Sequence, residues 1–236
     1  FKRRDPATWR KIRRILLPKD WLRFKMCGLF NTEPSDASST FLFDVGLREW
    51  SKEVLSALDI PIEFLPFVTT SHQHIAETEG IEDKTGLPDG IPVILGGADQ
   101  AAALLGNGIL DSGTLIAAIG TGGQLVTPVH HPAPSPDLSS NLFCHLPENR
   151  WYTLGATRAG GLCLRWFRDT VCPDTSFEQL TEEAALTPPG ADGLRFRPFI
   201  GGRRLPVPNA GATGAFDGLT LTHTRGHMVR AVMEGV

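Results

Sequence analysis

Apolar and polar positions first alternate at helical spacing. Residues 8–29, TWRKIRRILLPKDWLRFKMCGL, predict a helix interrupted or restarted at Pro18, with Gly28 as its stop. The polar, small-residue stretch FNTEPSDASSTFLFD then predicts a loop running into a short strand. In REWSKEVLSALDI, Trp50, Val54, Leu55 and Leu58 share one helical face and Pro61 lies beyond the end, which predicts a surface helix. After the turn-rich GIEDKTGLPDGIP, residues 93–95 are apolar and followed by glycines, the pattern of a short strand buried on both faces.

A second pattern starts near Asp111. GTLIAAIGTGGQLVTPV predicts a β-hairpin around GTGG, HHPAPSPD a proline-rich loop, RWYTLGAT a strand and GGLCLRWFRDTV a helix. Ser176 and Gln179 have capping-box spacing, so another helix starts there. In TRGHMVRAVMEGV, Val229, Val232, Met233 and Val236 recur at helical spacing. No solenoid-type repeat is visible. The change of pattern near residue 110 places a domain boundary there, dividing the chain into 1–110 and 111–236.

Composition narrows the function only slightly. A chain of 236 residues that is 41% hydrophobic can build a core, and a net charge of -3 gives no global attraction to nucleic acid or anionic membrane. The Lys and Arg excess in the first 25 residues reads as a solvated helix face. Cys27, Cys144, Cys163 and Cys172 lack CxxC spacing, so neither a zinc site nor a disulfide framework is indicated and a reducing cytoplasm is the expected compartment. No apolar run is long enough to predict a membrane span, and no secretion leader is read. Beginning at Phe1 and stopping at Val236 mid-pattern, the chain is expected to be an internal fragment.

The chemistry concentrates in two places. In VILGGADQAAALLGNG, Asp99 follows two glycines at a strand end. It suits a helix N-cap, and it also suits a general base facing the space that glycines clear at the C-terminal end of a strand. In GTGG, residues Gly120, Thr121, Gly122 and Gly123 are either a tight turn that needs glycine or a set of backbone N–H groups and one hydroxyl fit for a terminal phosphate. Together they suggest a hydroxyl substrate facing a phosphoryl donor.

Other motifs are missing. There is no GxxxxGK followed by Ser or Thr, Asp111 breaks a GxGxxG reading of GNGILDSG, and neither GxSxG nor HExxH occurs. His223 and His227 are four apart but lack a third ligand at suitable spacing, so no metal site is predicted. His72, His74, His130 and His131 lie in loop-like sequence.

The residues then resemble a known family. LLPKDWLRFKMCG, SDASSTFLFDV, REWSKEVLSALDI, GGADQAAALLGNGI, LIAAIGTGGQL and AGGLCLRWFRD follow the order and spacing of the FGGY carbohydrate kinases. GAFDGLTLTHTRGHMVRAVME fits that family's second signature from Gly214 through Gly218, His227 and Ala231 to Glu234. Within the family, the members acting on D-xylulose are the most similar. The resemblance implies an α/β, actin-like or hexokinase-like (ribonuclease H-like) ATPase fold, with 1–110 ending a sugar-side domain and 111–236 beginning a nucleotide-side domain. It implies transfer of the γ-phosphate of ATP, with Mg2+, to a ketose hydroxyl, D-xylulose giving D-xylulose 5-phosphate.

Carried over by position, Asp99 matches the catalytic base and touches the sugar, Asp36 a sugar-side position, and Gly120, Thr121, Gly122 and Gly123 the loop that meets the γ-phosphate. No residue is assigned to a metal. Sugar and ATP are the implied partners, nucleic acid and membrane are not, and a homodimer is the assembly allowed for. Two departures stand out. GGRRLP replaces a GERTP-like stretch, with Arg203 in the glutamate's place and Leu205 in the threonine's, and Gly122 replaces a common serine. The alternatives are a non-catalytic sugar-binding or regulatory relative, or a kinase for another polyol or ketose.

Overall fold

A computed structural model describes residues 2–137, 139–204 and 208–236 of the chain, which divides into two compact units. The first comprises Phe1–Thr114, Thr127–Ala133 and Leu142–Thr153, and the second Leu115–Val126, Pro134–Asn141 and Leu154–Val236.

In the first unit, helix α1 (Pro6–Trp9) is capped by Asp5 and ends after a single turn. The restart expected at Pro18 is formed as α2, Pro18–Cys27, while residues 10–17 are not helical. Two causes act. Proline forces the residue before it out of the helical region, and Leu17 is extended at φ -72°, ψ 158°. The Ile15 N–H is also taken by Phe64 O at 2.7 Å. Gly28 stops α2 in the left-handed region, φ 72°.

Strand β1 (Asn31–Thr32) follows, then α3 (Pro34–Ala37), β2 (Phe43–Asp44), β3 (Glu49–Trp50) and α4 (Lys52–Leu58). Trp50 is thus a strand residue. It pairs with Phe43, meets that ring edge-on at 5.3 Å, and donates its indole N–H to Pro66 O at 2.8 Å. Helix α4 starts one residue later at the Ser51 cap, buries Leu55 and leaves Leu58 exposed.

Strand β4 (Phe67–Val68) runs parallel to β1, and β5 (His74–Glu77), α5 (Glu82–Thr85), β6 (Pro92–Ile94) and α6 (Asp99–Gly106) complete this stretch. Strand β6 pairs with β5 alone in a two-stranded antiparallel sheet. Only one face is covered, so Val93 and Leu95 are buried while Ile94 is 56% exposed. The expectation of burial on both faces is corrected: side chains alternate across a strand. The core of this unit gathers Ala37, Phe43, Trp50, Leu55, Cys144 and Trp151.

The four-stranded sheet runs in the order β7 (Ile116–Ile119), β8 (Gly123–Val129), β10 (Trp151–Thr157), β9 (Asn141–Cys144). β7 and β8 form the expected hairpin, in register from Ile116 opposite Val126 to Ile119 opposite Gly123. In the second unit, α7 (Gly161–Val171) and α8 (Phe177–Ala185) follow, the latter with both bonds of its Ser176–Gln179 capping box formed. β11 (Arg195–Arg197) and β12 (Ala215–Asp217) pair antiparallel, and α9 (Arg225–Glu234) ends the unit. Phe167, Leu180, Leu194, Phe196, Val229 and Val232 fill its core, whereas Met233 stays 46% exposed.

Candidate functional site

Between β6 and α6 the chain turns through Gly96, whose φ of +73° is a conformation that suits glycine. Gly97 follows in a slot so close that a Cβ would stand 2.1 Å from Leu146 Cδ2. Helix α6 then begins, but Asp99 does not cap it. The cap position is Ala98, extended at φ -62°, ψ 147°, and no side chain caps there. Asp99 is the first helical residue, and its Oδ1 accepts the neighbouring Gln100 N–H at 2.8 Å. The capping expectation is corrected by one residue, because the Ala98 N–H is bound by Ser35 Oγ at 2.9 Å while the backbone there is still extended. Asp99 is exposed.

Asp36 lies on α3, in the same unit. That single turn is capped by Glu33, whose carboxylate accepts the N–H groups of Ser35 (2.8 Å) and Asp36 (2.9 Å). Lys19 Nζ lies 2.7 Å from Glu33 Oε1 and 3.6 Å from Asp36 Oδ2. Burial alone would push Glu33 up, but the Lys19 ammonium and the Ser71 and Ser35 hydroxyls outweigh it and hold this carboxyl below the usual carboxylate range. Asp36 goes the other way: burial raises it, Lys19 only partly opposes, and the Asp20 and Glu33 charges add to the rise. The loop is therefore organised by Glu33, which sequence reasoning missed. The signal was present in EPSD, an acidic residue just before a first-turn proline.

Thr121 sits exposed in the turn between β7 and β8, in the second unit. Gly120, Gly122 and Gly123 all avoid the left-handed region, so turn conformation is not what requires glycine. Close approach is. A Cβ on Gly122 would lie 2.6 Å from Thr157 O, and one on Gly161 2.8 Å from Gly120 O. The turn's carbonyls face the start of α7: Gly160 and Gly161 donate to Thr121 O and Gly120 O, each at 2.8 Å. A cavity of about 420 Å³ opens beside the turn, lined by Gly120, Thr121, Gly122, Thr157, Arg158 and Arg204 among others. Among the described residues no carboxylate lines it, and both arginines are exposed. Sequence reasoning passed over Arg158 and Arg204, because nothing local ties them to the turn.

The arrangement fits a phosphate chain: the Thr121 hydroxyl and the Thr121 and Gly122 N–H groups at the turn, the Gly120 N–H being taken by Gly122 O at 2.9 Å, and two guanidinium groups on the cavity wall. It does not fit a metal cage. Among the described residues no three His, Cys, Asp or Glu side chains gather as metal ligands. His227 is committed elsewhere, its Nδ1 to Thr224 and its Nε2 to Asp192 Oδ2 at 3.0 Å. His74 is a strand residue of β5 rather than a loop residue. All four cysteines are free thiols, and among the described residues no helix is long and apolar enough to cross a membrane. Arg203 pairs with Asn209 as an isolated bridge, while Leu205 lies outside the described residues.

Comparison with known proteins adds a consistent set of likenesses. Two family models match, described as the N-terminal domain (residues 1–106) and the C-terminal domain (residues 115–236) of the FGGY family of carbohydrate kinases. The xylulose kinase of Bacillus subtilis is 35% identical over the whole chain, which covers 47% of that relative. The chain thus spans about half the length of the curated relatives it matches. Among solved structures, a gluconate kinase from Lactobacillus acidophilus matches at TM-score 0.94 and 27% identity, over 99% of this chain and 48% of that one. A structure described as a xyloylose kinase from Brucella ovis matches at TM-score 0.89 and 27% identity, with the same coverage of both chains. The α/β fold of these sugar kinases, the actin-like or hexokinase-like ATPase fold, is the fold of this chain.

Proposed function

Because the chain belongs to the FGGY family of carbohydrate kinases, we propose that the protein carrying it transfers the γ-phosphate of ATP to a hydroxyl of a ketose, D-xylulose foremost. One observation carries this reading. Asp99 is not spent on capping and keeps an exposed carboxylate at the strand end, bound among the described residues by the adjacent Gln100 N–H. Residues 1–110 are proposed as sugar-side and 111–236 as nucleotide-side, with Asp36 on the sugar side.

In this reading the sugar hydroxyl attacks the γ-phosphorus, the new O–P bond forms, and the bond to the β-phosphate oxygen breaks with its electron pair leaving on ADP. Asp99 takes the hydroxyl proton as that oxygen becomes acidic. The Thr121 hydroxyl and its neighbouring N–H groups bind the transferring phosphoryl, and Arg158 and Arg204 lower the negative charge around it. Magnesium bound with the nucleotide would add charge neutralisation, held there chiefly by phosphate oxygens and water rather than by a cage of side chains. Relatives at 35% and 33% identity named xylulose kinase support xylulose as acceptor. Arg203, where the family usually has glutamate, favours a second reading in which another polyol or sugar acid is accepted.

Sugar-dependent ADP release by the complete protein tests the proposal, with D-xylulose, other ketoses, D-gluconate and glycerol compared. Release stimulated most by D-xylulose is expected. Sugar binding without any stimulated release would make the protein a non-catalytic relative.

A further inference from the structure

Three of the four residues that lead from β6 to Asp99 are fastened by groups from elsewhere in the first unit. Leu95 O accepts Arg23 Nη1 at 3.0 Å. The Gly96 N–H donates to Ser71 O at 2.9 Å, and the Ala98 N–H to Ser35 Oγ at 2.9 Å. Both serine hydroxyls in turn donate to one carboxylate, Glu33: Ser71 Oγ reaches Oε2 at 2.8 Å, and Ser35 Oγ reaches both oxygens at 2.8 Å. Glu33 is 0% exposed.

The direction of these bonds matters. A hydroxyl has one proton. An ionised carboxylate can only accept, so the Ser35 O–H donates to Glu33 and the Ser35 oxygen keeps a lone pair turned to the Ala98 N–H. A buried carboxylate is costly to keep, and capping a single turn such as α3 can be done by an uncharged Ser or Thr. The Lys19 ammonium that compensates it is a further expense at the same spot. At Gly97 the segment packs closely against Leu146 Cδ2 and Ser35 Oγ, where an added Cβ would stand 2.1 and 3.3 Å away.

We propose that Glu33 is a positioning residue for Asp99, acting through Ser35 and Ser71 on the backbone that precedes it. The inference rests on Asp99 being the proton acceptor proposed above. Glu33 touches neither sugar nor phosphate in this role; it sets where the Asp99 carboxylate stands.

The complete protein with Glu33→Gln and with Ser35→Ala tests this, each made in the wild-type and in the Asp99→Asn background. The amide of Gln would donate toward Ser35 and reverse the bond polarity, whereas Ala removes the acceptor of the Ala98 N–H and leaves Glu33 in place. In the wild-type background kcat is expected to fall roughly 10-fold to 100-fold, with KM for sugar and for ATP within about 3-fold, as for a displaced catalytic group. In the Asp99→Asn background the same changes should cost less than about 2-fold, since the group they position is gone.

Full kcat in a folded Ser35→Ala protein overturns the proposal, and so does an equal loss in both backgrounds. Failure of both variants to fold overturns it as well, since the network would then be structural. If instead Asp99→Asn alone turns over normally, it is the proposed reaction chemistry that fails.

Discussion

Ser35 Oγ holds the Ala98 N–H at 2.9 Å, and this bond fixes helix α6 to begin at Asp99 rather than after it. A residue that suits the N-cap is thereby moved one place into the helix, where its side chain satisfies no cap bond and remains exposed. Removing the side chain should accordingly cost little stability. Asp99→Ala is expected to lose only the helix-dipole attraction, about 0.3–1 kcal/mol, rather than the full cost of a lost cap. Urea denaturation of the complete protein measures it, and a loss near 2 kcal/mol would restore the capping role.

Thr121 offers the hydroxyl of the turn between β7 and β8. Thr121→Val keeps the shape of the side chain and should lower kcat on the order of 100-fold while leaving the sugar KM nearly unchanged. Steady-state kinetics decide the matter. An unchanged kcat would make the turn a packing element only.

The glycines around that turn are set by contact. A Cβ on Gly160 would meet Gly122 C and O at 2.6 and 2.7 Å, and both are backbone atoms that cannot swing aside. Gly160→Ala should destabilise by roughly 1–3 kcal/mol, the usual cost of overpacking, and raise the KM for ATP without raising that for sugar. Thermal unfolding together with the two KM values would reveal it; a mutant with unaltered stability and ATP affinity would contradict the packing argument.

The two carboxyls near Lys19 respond oppositely to acid. Glu33 is held below its unfolded value, so its stabilisation is present at neutral pH and lost only as pH falls through its lowered folded value. Asp36 is raised, so its contribution is full below its unfolded value and disappears as pH rises through the folded one. Asp36→Asn should therefore hold or raise Tm near neutrality and flatten its mildly acidic pH dependence. Melting curves from about pH 3 to about pH 7 distinguish this from a net stabilising Asp36, for which the mutant would melt lower at neutral pH.

What could be read along the chain was what neighbours in sequence decide. The Gly28 stop, the hairpin around Thr121, and the helices α7, α8 and α9 all rest on residues within a few positions of each other. The spacing of Trp50 fits a helix, whereas its partner Phe43 pulls it into a strand. The site divides the same way. Asp99 and the GTGG turn stand out as motifs, but Ser35 meets Ala98 across 63 positions, and the two arginines of the cavity come from segments far from Thr121. Only the folded chain brings such partners together.

Asp99→Asn in the complete protein tests the central claim most directly, through D-xylulose-dependent ADP release measured beside Tm. Asn is nearly isosteric and still accepts the Gln100 N–H, so Tm should hold. Turnover should fall roughly 100-fold to 10,000-fold, the contribution of a positioned base, while sugar affinity changes only modestly. Turnover near wild type in a stably folded Asp99→Asn protein would contradict the account.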